Sequence, residues 1–222
     1  MPVHDWTRVS AGKFHAFHVA WLAELQKALN HGLLPSGFYA LAEQVAGDIG
    51  PDVLTLESRG TAEARKNHIN AIRRRRLVIR HSSGDRVVAF LEIVSPGNKD
   101  GARLLSSFLD KAVAALLGGF HLLVIDLFPP GPHDPNGIHG AIWDSIDGPG
   151  YTAPPEAPLT LAAYAGSPAF RCYVEPTSVG TPLIEMPLFL STDHYVNVPL
   201  EATYLEAWSG VPERWRRVIE DR

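Results

Sequence analysis

Two strand-like runs separated by a four-residue turn restrict the possible folds of this chain more than any other feature. Residues 76–81 and 86–94 flank the sequence Ser-Ser-Gly-Asp at positions 82–85. A short glycine-containing link between two such runs predicts a β-hairpin. The second run is apolar on both faces, which is typical of a central strand in a sheet that is covered on both sides. The sequence therefore predicts a layered fold built around a sheet.

The segments around the hairpin indicate which kind of sheet this is. A helix is predicted over residues 103–117, and a second buried strand follows over residues 120–128. A strand–helix–strand order implies a right-handed parallel crossover. Upstream, we expect a helix from Ser10 to about residue 30 and strands at 37–45 and 51–56, then a helical segment over about 61–72. The predicted class is α/β, with a mixed central β-sheet flanked by helices.

The chain is expected to form one domain over residues 1–222. Residues 1–131 would form the core, and residues 132–222 would form a loop-rich subregion packed on it, because proline and glycine crowd the stretch from 129 to 158. A short helix near Ile142 is expected there. Short strands are predicted at 171–175, 184–190 and 195–198, and helices at 200–208 and 212–220.

Composition limits the location and the partners of the protein. The only cysteine, Cys172, excludes an intramolecular disulfide and fits a reducing compartment. We find neither an apolar leader nor a run of the ~18 apolar residues that span a bilayer. A cytoplasmic protein with no membrane contact is expected. The net charge of −4 gives no overall attraction to nucleic acid, so any such contact needs a local patch.

A local basic patch does occur beside the hairpin. Four consecutive arginines, Arg73, Arg74, Arg75 and Arg76, precede the first strand. They would contact nucleic-acid phosphates in one interpretation. In the other they form a solvated face that pairs with surface acids.

Three acids occupy positions where a charge needs a partner. Glu92 and Asp126 lie inside apolar strands, and Asp52 opens the strand predicted at 51–56. A buried unpaired charge costs several kcal/mol, so each acid requires a cation, a hydrogen-bond network or a wet cleft. Lys99 and Lys111 are the candidate partners, since the crossover brings both near the two strands.

These acids and lysines suit two different roles. Carboxylate oxygens hold Mg²⁺ or Mn²⁺, the ion lowers the pKa of bound water, and a lysine stabilises charge on the attacked phosphate. The same residues would equally form a buried salt-bridge network that only fixes the fold. The spacing of the residues leaves both possibilities open.

The histidines and the cysteine give weaker signals. His133 and His139 flank Asp134 in a proline-rich stretch, which we interpret as a loop with polar turn residues rather than a zinc site. Cys172 has no recognisable nucleophile context, so we expect it to be a packed small side chain.

The run from Phe90 to Lys99, Phe-Leu-Glu-Ile-Val-Ser-Pro-Gly-Asn-Lys, resembles the signature of a bacterial domain-of-unknown-function family with catalogue number 4058. The resemblance also includes Trp6, the segment 34–43, Pro51-Asp52-Val53 and the strand around Asp126. It covers most of the chain up to about residue 131. This family implies no activity.

A more distant resemblance is to the restriction-endonuclease-like PD-(D/E)XK superfamily. It rests on a Pro-Asp strand, a Glu-x-x-Ser-Pro strand, a lysine-bearing helix and a strand ending in Asp126. The resemblance implies a restriction-endonuclease-like fold in which Asp52 and Glu92 bind the metal, Glu43 supplements them and Asp126 supports them.

The chain departs from that pattern at Val94, where the superfamily has its catalytic lysine. The lysine role would then fall to Lys99 or Lys111. About 40 residues, including an extra strand, also separate Asp52 from Glu92. Two hypotheses follow: a Mg²⁺-dependent nuclease or phosphodiesterase, and a non-catalytic binding or scaffolding module that keeps the nuclease-like fold.

Overall fold

The structure is a computed structural model that describes residues 3–44, 75–168 and 170–220. The strand predicted at 51–56 and the helix predicted at 61–72 lie outside these ranges. The helices are α1 (Ala11–Ala28), α2 (Pro96–Lys99), α3 (Ala102–Leu117), α4 (Gly137–Ile146), α5 (Leu200–Ser209) and α6 (Glu213–Glu220). The strands are β1 (Phe38–Gln44), β2 (Arg75–His81), β3 (Arg86–Ile93), β4 (His121–Asp126), β5 (Leu159–Ala165), β6 (Arg171–Thr177), β7 (Met186–Phe189) and β8 (Tyr195–Val198).

The first six strands form one mixed sheet in the order β1-β2-β3-β4-β5-β6. The pair β3 and β4 is parallel, and the other neighbouring pairs in this sheet are antiparallel. Strands β7 and β8 form a separate antiparallel hairpin. The predicted hairpin and the predicted parallel crossover are confirmed. The α/β class with a mixed sheet is therefore confirmed as well.

One face of the sheet packs against α1, α5 and the β7–β8 hairpin. Leu77 and Ile79 from β2 and Leu123 and Ile125 from β4 belong to this cluster. It also contains residues from both ends of the chain, including Val3, Trp6, Phe14, Trp21, Tyr204 and Trp208. The apolar residues of α1 recur at helical spacing, so they form one continuous buried face that packs against the sheet.

The other face packs against α3 and α4. Phe90 of β3 and Leu122 and Val124 of β4 contribute to this second cluster, together with Phe108 of α3 and Ile138 of α4. Each residue of β4 is buried, and its four apolar residues, 122–125, alternate between the two clusters. This explains the unbroken apolar run in the sequence, because both faces of the strand are covered.

The second half of the chain contributes more to the sheet than the sequence indicated. Strand β5 continues the sheet beyond β4 through antiparallel pairing, and β6 forms the edge. No strand was predicted at residues 159–165, whose side chains show no clear alternation of apolar and polar residues. The short helix expected near Ile142 is confirmed as the ten-residue helix α4. In the described ranges, no helix has both the length and the apolar character that crossing a membrane requires.

Candidate functional site

The Ser95–Lys99 segment forms a tight turn that directs Lys99 into the protein. Pro96 begins the short helix α2, where its fixed φ suits the first turn. The Oδ1 atom of Asn98 accepts hydrogen bonds from the Ser95 backbone N–H at 2.9 Å and from the Ser95 hydroxyl at 2.7 Å. Asn98 is buried. These bonds hold the chain in a conformation that turns Lys99 back toward β4.

Lys99 lies between the buried carboxylates of Asp126 and Asp134. We call these three residues the Lys99 cluster. The Lys99 Nζ is 3.0 Å from Asp126 Oδ2 and 2.8 Å from Asp134 Oδ2. It also donates to the carbonyl oxygens of Phe128 at 3.0 Å and Pro129 at 2.9 Å. An ammonium group has three N–H donors, which these two carbonyls and Asp126 occupy. The contact with Asp134 Oδ2 is therefore electrostatic and lacks hydrogen-bond geometry.

Asp126 is further held by backbone donors. Its Oδ1 accepts from the Phe128 N–H at 3.1 Å, and its Oδ2 lies 3.4 Å from the Ile138 N–H in the first turn of α4. Burial raises the pKa of Asp126 above its ordinary value, and the Lys99 ammonium offsets part of that rise. The Lys99 cluster ties the loop after β4 and the start of α4 to the end of β3. Its groups face one another, which is the arrangement of a structural ion-pair network.

Glu92 lies in a different environment, within a row of alternating charges that crosses three strands. Glu43 of β1 lies directly opposite Arg76 of β2. Because Leu77 lies opposite Leu91, the antiparallel register brings Arg76 next to Glu92 of β3. Both carboxylates stabilise the Arg76 cation, although burial dominates and lowers the pKa of Arg76. Glu43 also accepts a 2.8 Å hydrogen bond from the Arg80 Nε.

A small pocket of about 30 Å³ opens beside this row, and we call it the cationic pocket. Arg76, Glu92 and Lys111 line it together with apolar residues that include Phe90 and Phe108. The Arg76 guanidinium lies over the Phe90 ring, 3.9 Å from its centroid. The Arg76 Nε is shielded from solvent and has no hydrogen-bond partner among the described residues. Within the same described ranges, no hydrogen bond or ion pair is found for Lys111.

The structure thus separates the two candidate lysines. Lys99 is engaged by Asp126 and Asp134, whereas Lys111 lines a pocket with Glu92. Glu92 faces Val124 across the parallel pair, and Asp126 lies two residues further along β4. The predicted cluster of acids and lysines is therefore two groups, one around Lys99 and one around Glu92.

The position of Val94 has a physical explanation. Its backbone N–H donates to the Ile125 carbonyl at 2.8 Å, and its side chain is fully buried in the apolar layer under α3 and α4. A lysine at this position would bury its charge among apolar side chains, at a cost of several kcal/mol. The layer that covers the sheet is thus incompatible with a lysine at position 94.

Glu43 and Glu92, the two predicted metal ligands that the structure describes, do not lie on neighbouring strands. Glu43 and Glu92 lie on strands separated by β2, about 9–10 Å apart in the plane of the sheet, and the Arg76 cation lies between them. Ligand oxygens of one Mg²⁺ all lie ~2 Å from the ion. In residues 3–44, 75–168 and 170–220, no group of three or more histidine, cysteine, aspartate or glutamate side chains is placed to hold a metal. The predicted ligand Asp52 lies outside the described residues.

The structure describes only part of the predicted basic patch. Arg73 and Arg74 lie outside the described residues, and the backbone of Arg75 opens β2. Arg76 is not part of a solvated face, because its side chain packs over Phe90 and borders the cationic pocket.

Sequence reasoning missed Asp134 and the surroundings of His139. Asp134 was interpreted as a polar turn residue, yet it is 1% exposed and pairs with Lys99. His139 belongs to α4 and its Nδ1 lies 2.7 Å from the Tyr164 hydroxyl. The Cys172 Sγ lies 3.9 Å from the same nitrogen. Burial raises the pKa of Cys172 to about 12, so the expectation of a packed thiol without nucleophilic character fits the structure.

Comparisons of this chain with protein-family models, with curated proteins and with solved structures find no match.

Proposed function

We propose that this protein is a binding module for a phosphate-bearing ligand, with Arg76 and Lys111 as its anchoring cations. The observation that carries the proposal is the shielded Arg76 Nε, which has no acceptor among the described residues. A buried donor without an acceptor costs about 1–3 kcal/mol. An anionic oxygen in the pocket would remove that cost. Arginine suits this role because its planar guanidinium matches the oxygens of a phosphate group.

The charges of the cationic pocket support the same ligand class. Two cations and one carboxylate line it, so its formal charge is positive although the whole chain has a net charge of −4. Its volume of about 30 Å³ leaves room for roughly two water molecules. Only the charged end of a ligand would enter, and the rest would lie on the surface outside. A nucleic-acid strand, with one exposed phosphate per nucleotide, is the first ligand to test.

The test is fluorescence polarisation with a labelled single-stranded oligonucleotide at two salt concentrations. We expect Lys111→Met and Arg76→Gln each to weaken binding at least tenfold and to reduce the salt dependence, since each removes one phosphate contact. Lys27→Met is the matched control, because Lys27 is an exposed lysine of α1 paired with Glu24. Equal affinities for the wild type, Lys111→Met and Arg76→Gln would contradict the proposal.

A second candidate function is the metal-dependent phosphodiesterase. It is favoured by one observation: Glu92 and Lys111 line the same pocket, as a carboxylate ligand and a charge-stabilising lysine would. Lys111, and not the engaged Lys99, would then take the lysine role. This candidate also requires Asp52. A bound divalent ion would supply an activated water molecule.

Glu92→Gln distinguishes the two candidates because the expected effects have opposite signs. If the pocket binds an anion, removing the Glu92 charge strengthens oligonucleotide binding at least threefold, about 0.6 kcal/mol. If Glu92 is a metal ligand, the same change abolishes the binding of Mn²⁺ measured by calorimetry. Saturable Mn²⁺ binding by the wild type that is lost in Glu92→Gln would replace the first candidate by the second. No Mn²⁺ binding by either protein would exclude the second.

A further inference from the structure

A second, larger pocket lies between α4, the segment that follows it and β6. Its volume is about 290 Å³, and it shares no lining residue with the cationic pocket. Small-molecule sites usually span ~300–1,000 Å³, so this cavity is close to the lower end of that range. We call it the aromatic pocket, and its lining residues are His139, Trp143, Gly150, Tyr151, Cys172 and Val174.

Three rings shape the aromatic pocket. The Tyr151 ring meets the His139 ring edge to face, with the centroids 4.4 Å apart and an interplanar angle of 78°. Trp143 lies 6.1 Å from His139 at an angle of 38°. Rings held at these angles present both faces and edges, which are the surfaces that favour contact with another flat ring.

The lining of this pocket is uncharged at neutral pH. None of its six residues is an aspartate, glutamate, lysine or arginine. Burial lowers the pKa of His139 to about 4, so its imidazole is neutral. Burial also raises the pKa of Cys172 to about 12, so the thiol keeps its proton. A charged ligand would lose its hydration here without gaining an ionic partner, which is unfavourable.

The polar groups beside the pocket have neighbours in the protein. The Tyr151 hydroxyl is shielded from solvent and lies beside the Thr160 hydroxyl. Burial raises the pKa of Tyr151, and Thr160 offsets part of this rise. The buried Tyr164 hydroxyl lies within hydrogen-bond distance of His139 Nδ1, at 2.7 Å.

We propose that the aromatic pocket binds an uncharged, planar aromatic or heteroaromatic compound. The three rings contact the flat faces of the ligand, and the uncharged lining selects against ions. This site does not depend on the proposed binding of phosphate by Arg76 and Lys111.

Three small probes of similar size test the proposal on the full chain by saturation-transfer NMR. Benzamide is planar and uncharged, benzoate is planar and anionic, and cyclohexanecarboxamide is uncharged and not planar. We expect saturable binding of benzamide, with at least tenfold weaker binding of the other two. No saturable binding of benzamide, or equal binding of benzoate, would overturn the proposal.

Variants locate the binding to this pocket. Tyr151→Ala removes one of the three rings and should weaken benzamide binding at least tenfold. Val174→Phe fills the pocket from β6 and should abolish binding. Tyr173→Ala is the matched control, because Tyr173 lies on the opposite side of the same strand and is 51% exposed. Benzamide affinity that is unchanged in both Tyr151→Ala and Val174→Phe, with both variants folded by circular dichroism, would also overturn the proposal.

Discussion

Replacing Lys99 by methionine removes the charge of a side chain that is only 9% exposed, while most of its apolar length is kept. The change leaves the Asp126 and Asp134 carboxylates, 3% and 1% exposed, without their shared cation. Removing one partner of a buried ion pair costs about 3–5 kcal/mol. For a chain of this size, each kcal/mol lowers the unfolding midpoint by about 2–4 °C, so we expect a decrease of roughly 6–20 °C.

The pH dependence of this loss has a definite sign. Burial holds the folded-state pKa of Asp126 above its ordinary value of 3.8, and Lys99 limits the rise. The folded state therefore binds a proton more tightly than the unfolded state, and stability falls as the pH rises through the window above 3.8. Without Lys99 the folded-state pKa of Asp126 is higher still, so the pH range over which stability falls extends further upward. The free-energy difference between the wild type and Lys99→Met should be largest at neutral pH and should shrink as the pH approaches 4.

The assay is urea-induced unfolding followed by circular dichroism at several pH values. Lys27→Met serves as the control, because it breaks an exposed pair and should change the unfolding free energy by less than about 1 kcal/mol. Wild-type stability of Lys99→Met at pH 7 would refute the assignment of the Lys99 cluster as a structural network. So would a stability loss that does not vary with pH.

Three further predictions concern single buried groups, and thermal unfolding measures each of them. Tyr204→Phe should cost about 1–3 kcal/mol, because the Trp6 Nε1–H, 3.1 Å from the hydroxyl, loses its buried acceptor. Asn98→Ala should cost a similar amount by leaving the Ser95 N–H unpaired, and an unchanged midpoint in either variant would contradict the role of that bond. Burial lowers the pKa of His121 below 6.5, so the folded state resists protonation and its stability falls as the pH drops from 6.5 through that lowered value. In His121→Asn, whose amide keeps an acceptor, the loss between pH 7 and 5 should be smaller, and an equal loss would rule out this contribution.

Local pattern was sufficient to predict the central part of the fold. The hairpin of β2 and β3 follows from a glycine-containing turn between two strand-like runs, and the parallel pairing of β3 and β4 follows from the strand–helix–strand order. These features depend on residues close together in sequence, so a single chain reveals them. Strand β5 was missed because a short, mostly apolar run does not distinguish a strand from other buried segments.

A physical rule identified the candidate acids from the sequence, but it did not identify the residues that pair with them. A charge inside an apolar strand needs compensation, and this rule identified Glu92 and Asp126 from the sequence. The structure compensates each one differently: Asp126 pairs with Lys99, and Glu92 lies beside Arg76. The partner Asp134 was missed because a proline-rich turn gives no signal that one of its side chains is buried.

The sequence by itself determined the α/β class, the central hairpin and which acids require a partner. Only the tertiary structure decided that Lys99 is enclosed by oxygens whereas Lys111 lines a pocket. Both lysines are near the crossover in sequence, and their environments differ because helix packing and loop geometry set which groups meet them. The row of Glu43, Arg76 and Glu92 likewise depends on strand register. Register pairs residues that are far apart in the chain, and a shift of one residue would change every pair.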